Sequence, residues 1–135
     1  MKVKGIVEKG SDGLYSVYSD NSIGMHSFGG FGDSVSEAKE DFENSVEESI
    51  ALAKEDGIAV PDVYSVEYSY DIPSLFCYLD YFNISKFAEF AGINESKMRA
   101  YKAGIVFPGE RTTRKIAAAI ARIEEQLHSV SLSTK

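Results

Sequence analysis

The sequence predicts an α+β fold, with a small β-β-β-α-β sheet domain over residues 1–71 and an all-α domain over residues 72–135. Three observations predict it. Tyr64, Val66, Tyr68 and Tyr70 alternate with Ser65, Glu67, Ser69 and Asp71, the period of two that a strand with one buried face requires. Val35, Ala38, Phe42, Val46, Ile50 and Ala53 recur at helical intervals, forming one apolar stripe. Charge changes sign along the chain: residues 1–71 carry 5 Lys and Arg against 15 Asp and Glu, net −10, whereas residues 72–135 carry 9 against 6, net +3.

Taken in order, KVKGIVEK from Lys2 and LYSVYS from Leu14 flank Ser11-Asp12-Gly13, strong turn punctuation, and read as a hairpin. Met25 to Phe28 is expected as a short third strand that ends in the glycine-rich GGFGDS. Those glycines have no following Lys and match neither a phosphate loop nor a dinucleotide fingerprint, so they are assigned to a strand-to-helix turn. Ser34-Val35-Ser36-Glu37 is a capping box that starts a helix at Val35. The helix's other face, with Glu40, Asp41, Glu43, Glu47, Glu48 and Glu55, is either a solvated surface or an acidic docking surface. The alternating strand before Asp71 completes a sheet unit whose core is marginal at about 70 residues, which favours self-association through a sheet edge or face.

Pro73 marks the domain boundary, with Ser74 expected to cap the next helix. That helix, carrying Leu75, Phe76, Tyr78, Leu79 and Phe82, is apolar enough to be buried as the first of the second domain, with Cys77 as a small core residue. The stretch SKFAEFAGINESKMRAYKAG from Ser85 to Gly104 then reads as two short helices joined by a tight turn. Ala88 and Ala91 permit close crossing, Gly92 takes the left-handed turn, Ile93 plugs it, Asn94 caps the second helix and Gly104 ends it. A last helix from Thr113 to Leu127 buries Ile116, Ile120, Ile123 and Leu127. The tail HSVSLSTK has no clear structure.

This pattern is how a helix-turn-helix that reads DNA is built, the alternative being an ordinary helical corner. Between Lys86 and Arg122 there are 8 basic and 3 acidic residues, a footprint suited to phosphate. On a helical wheel Met98 and Tyr101 face the core, whereas Ser96, Arg99, Ala100 and Ala103 lie opposite. Ser96 and Arg99 are therefore the candidate base readers, Arg99 typically toward guanine. Ser85, Lys86, Lys97, Lys102, Arg111 and Arg114 are the candidate phosphate contacts.

Other classes find less support. The longest apolar runs fall short of the roughly 20 residues needed to span a bilayer, and the Met-Lys start lacks the apolar core of a signal peptide, so a cytoplasmic protein is expected. One Cys and two distant His, His26 and His128, suggest no metal site, no cofactor and no catalytic constellation, and hence no enzyme.

With GFGDSVSEAKEDFENSVEESI in its first half and AEFAGINESKMRAYKAG followed by TTRKIAAAI in its second, the chain resembles the HicB-type antitoxins of bacterial toxin-antitoxin modules. The resemblance implies a partial RNase H-like domain retained without catalysis and a Cro-repressor type of helix-turn-helix. It further implies that the acidic surface of residues 1–71 binds and blocks a small, basic, RNA-cleaving HicA-like toxin. The second domain would bind double-stranded operator DNA as a homodimer or higher oligomer. The alternative is a transcription regulator whose first domain senses a ligand or protein, with Tyr64, Tyr68 and Tyr70 lining a pocket.

Overall fold

A computed structural model describes residues 1–134, in the order β1 (Lys2–Lys9), β2 (Tyr15–Ile23), β3 (His26–Gly32), α1 (Val35–Glu55), β4 (Ser65–Tyr70), α2 (Ile72–Tyr78), α3 (Ile84–Ala91), α4 (Glu95–Ala103) and α5 (Glu110–His128). The fold is mixed α+β, and the chain divides into two compact units, Met1–Asp80 and Tyr81–Lys135. None of the described helices is long and apolar enough to cross a membrane.

In the first unit the sheet order is β3-β2-β1-β4, with β4 parallel to β1 and the other pairings antiparallel. The hairpin between β1 and β2 closes on Asp12, whose carboxylate accepts from the Leu14 N–H at 3.0 Å. A register irregularity between Tyr18 and Ser22 interrupts the β2–β3 pairing. The inner face carries Val3, Val7, Tyr15, Val17, Ile23 and Phe28, all buried against Val35, Ala38, Phe42, Val46 and Ala53 of α1. Of the apolar stripe read from the sequence, Ile50 alone is only partly buried. Phe42, fully buried, meets Phe28 and Tyr68 edge-on at 6.4 and 6.1 Å.

The third strand is longer than expected. The glycines are not a turn outside the strand; they continue β3 to Gly32. A Cβ on Gly30 would lie 2.4 Å from the Phe42 nitrogen and 2.6 Å from the Ala38 carbonyl oxygen, so only glycine lets α1 lie this close to the sheet. At the helix start the Ser34 hydroxyl accepts from the Glu37 N–H at 3.1 Å, while the Glu37 carboxylate reaches one residue further back than a capping box specifies, accepting from the Asp33 N–H at 2.9 Å.

The boundary expected after Asp71 falls after Asp80 instead. Asp71 ends the strand and starts the helix with no linker between: its N–H donates to the Val7 carbonyl at 3.0 Å, and its carboxylate accepts from the N–H of Ser74 at 2.8 Å and of Lys9 at 3.0 Å. Asp71 is thus the cap that Ser74 was expected to be. Pro73 sits in the first turn, where its missing N–H costs nothing, and α2 packs on β1, β4 and α1. Pro73, Ser74 and Phe76 are buried, but Cys77 is exposed, which corrects its assignment to the core.

The second unit holds α3, α4 and α5 around Ile84, Phe87, Ala88, Met98, Ile116 and Ala119. Its last helix begins at Glu110, three residues before the expected Thr113. Ile116 is buried and Ile120 and Ile123 are half-buried, whereas Leu127, expected inside, is 66% exposed because α5 outruns the other two helices.

Candidate nucleic-acid interface

Local sequence fixes the α3–α4 corner. Asn83 caps α3, its side-chain oxygen accepting from the Lys86 N–H at 3.1 Å. The helix ends at Gly92, whose φ of 72° is left-handed, and the Ile93 N–H then donates back to the Ala88 carbonyl at 2.9 Å. Asn94 at once caps α4, accepting from the Lys97 N–H at 3.1 Å. Gly104 repeats the closure at the far end with a φ of 76°, and Ile105 donates to Ala100. Two helices are therefore joined by three residues, Gly92 to Asn94, with the end of one and the start of the next each marked by a specific residue type.

Buried Met98 fixes the rotation of α4. Tyr101 is half-buried beside it, and Ser96, Lys97, Arg99, Lys102 and Ala103 are exposed. Ala100, expected outward, is half-buried. The candidate base readers thus share solvent-facing surface, but Arg99 does not project freely. Its guanidinium donates to the Glu95 carboxylate at 2.7 Å and to the Ser85 hydroxyl at 2.9 Å, and that hydroxyl donates in turn to Glu95. The Ser85 hydroxyl first, and Arg99 second, hold the Glu95 carboxyl below its usual range. Ser85, expected on phosphate, is committed to this cluster.

Lys86 is exposed at the start of α3 and Lys102 in the last turn of α4. Lys97 lines a polar hollow of about 160 Å³ together with Asn94, Tyr101, Thr112 and Lys115. Arg111 and Arg114 lie in the opening turns of α5; Arg111 is exposed, and Arg114 is ion-paired with Glu110 four residues earlier. That pair, with Glu110 at the helix start, offsets the unfavourable position of a basic side chain near the positive end of the dipole. Sequence reasoning missed Glu95, Thr112 and Lys115. The Glu95–Arg99 spacing of four signals the first; the other two come together with Lys97 only through tertiary packing of α5.

In the first unit, Glu40, Glu43, Glu47, Glu48 and Glu55 are exposed along α1. Asp41 is not spare charge: its carboxylate accepts from the Phe31 N–H at 2.9 Å. Of the tyrosines expected around a ligand pocket, Tyr68 and Tyr70 are packed in a row instead, with Tyr70 stacked on Tyr78 at 5.6 Å. The Lys39 ammonium lies 4.4 Å from the Tyr68 ring centre and 4.2 Å from that of Tyr78, and donates to the Tyr70 hydroxyl. No family model matches the chain, and no curated protein and no solved structure matches it either.

Proposed function

We propose that the chain is a DNA-binding antitoxin of the HicB type, reading its own operator with the α3–α4 corner as a helix-turn-helix and occupying a small, basic, RNA-cleaving toxin with the acidic face of its first unit. The observation that carries the DNA half is the turn at Gly92 to Asn94 followed by a helix that buries Met98 and exposes Ser96, Lys97, Arg99 and Lys102. On this reading Arg99 leaves Glu95 and Ser85 to reach a guanine edge, exchanging one charge-assisted pair for another. Lys86, Lys97, Lys102, Arg111 and Arg114 contact phosphates, and Lys115, sharing the hollow with Lys97, joins them. The acidic half rests on the exposed glutamates of α1, which would meet the basic partner by charge complementarity.

The test is binding to DNA from the chain's own promoter across a salt series. Six cations on phosphate predict that log K falls with log salt at a slope of roughly −5 per protomer. Arg99→Ala is expected to lower operator affinity by about 1–3 kcal/mol while leaving binding to scrambled DNA little changed. Equal operator affinity in the variant would remove Arg99 from the reading face. Co-expression with the product of the adjacent small reading frame tests the toxin half, and failure to co-purify would sink it.

A further inference from the structure

The two edges of the sheet are treated differently. Along β3 the outward N–H groups of Gly29 and Phe31 are both taken by α1, donating to the Ser45 hydroxyl at 3.2 Å and to the Asp41 carboxylate at 2.9 Å. That edge is closed to another strand. Along β4, Ser65 donates to the Met1 carbonyl and Asp71 to the Val7 carbonyl, both at 3.0 Å. These bonds bracket the ladder and set its parity: odd-numbered residues face β1, so the N–H and C=O groups of Val66, Tyr68 and Tyr70 face outward. Within the first unit's described residues no side chain is hydrogen-bonded to them. An uncovered strand rich in Val and Tyr is a template for pairing.

We propose that β4 pairs antiparallel with β4 of a second copy, about a twofold axis at Tyr68, joining two four-stranded sheets into one of eight. The parity selects this register, because outward-facing residues must oppose one another: Tyr68 meets Tyr68, and Val66 meets Tyr70. All three side chains lie on the inner face and are only half-buried in the single chain, so the pairing covers apolar surface that α1, lying over β3 and β2, leaves open. On the outer face Glu67 falls opposite Ser69, so no like charges are opposed. Charge also favours a second copy over a basic partner here. The one acid of the strand, Glu67, is already paired with Lys2 at 3.0 Å, and Glu43 of α1, which reaches Tyr68, is met there by Lys39 lying over the same ring. The inference stands apart from the DNA-binding reading, since it uses the first unit alone.

Sedimentation of the full chain is the first measurement. Val66→Pro removes one outward N–H at an edge position where proline is tolerated within the fold, and is expected to halve the mass of the assembly with an unchanged circular dichroism spectrum. The second measurement, in a Cys77→Ser background, mixes two single variants, Glu67→Cys and Ser69→Cys. The proposed register brings position 67 of one copy opposite position 69 of the other, so the mixture should form a disulfide dimer at least ten times faster than either variant alone. A monomeric wild-type chain, an unchanged mass in a folded Val66→Pro variant, or equal cross-linking in the separate and mixed samples would each overturn the proposal.

Discussion

Arg99 is held by two side chains before it meets any ligand, and its partners Glu95 and Ser85 lie on different helices. Glu95→Gln keeps the shape and removes the charge. On the DNA-binding reading this variant is expected to bind operator DNA more tightly, by a few-fold, because the anion that competes with the guanine edge for Arg99 is gone, and to gain less on scrambled DNA, where only its repulsion of phosphate is lost; fluorescence anisotropy on both DNAs measures it. Two glycines make a second contrast at this scale. Gly92→Ala places a Cβ that meets nothing within 4 Å, so its cost is the left-handed backbone alone, about 1–2 kcal/mol. Gly30→Ala drives a Cβ into the backbone of α1 and is expected to lower the melting temperature much further; parallel thermal melts compare the two.

Among the elements, α1 carries the first unit, and Phe42 is its central anchor. Phe42→Ala is expected to destabilise that unit by about 3–5 kcal/mol, read as a shift in the denaturant midpoint, because transfer and cavity costs add at a fully buried site. This helix was also the most legible element. Ser34 and Glu37 marked its start and the apolar spacing marked its face, since both signals are local. The α3–α4 corner was legible for the same reason: Gly92, Asn94 and Gly104 each act on the backbone next to them. What depends on tertiary placement was not legible. The role of Gly30 requires knowing that a helix lies over it, and α2 looked like a helix of the second unit because its apolar content could not say which neighbours would cover it. Pro73 pointed to a boundary, whereas Asp71 makes it a continuous corner.

At the scale of the whole molecule, ionisation couples to stability at high pH. Burial first, with Cys77 and Asp71 contributing, pushes the Tyr15 hydroxyl up to about 12, and burial together with the nearby Glu43 raises that of Tyr68. Both phenols stay neutral in the folded chain at a pH where the unfolded chain ionises. Their contribution is therefore complete below about pH 10 and is lost as pH rises through the folded values. Guanidinium unfolding at pH 8, 10 and 11 should give midpoints that are level between the first two and fall at the third. The division of charge between the halves was readable from composition, but the use of individual acids was not: Glu37 and Asp41 serve backbone groups, while Glu40, Glu43, Glu47 and Glu48 lie exposed on the same helix. The close approach of α1 to β3 also divides the chain's freedom to drift over generations. Where the gap between helix and strand is set by the absence of an atom, position 30 has one permitted occupant and no neighbour can compensate, because what it would strike is main chain. The exposed glutamates a turn away obey no such limit, so lineages of this chain should diverge in the acidic face, and in whatever it binds, while the glycine beneath the helix stays fixed.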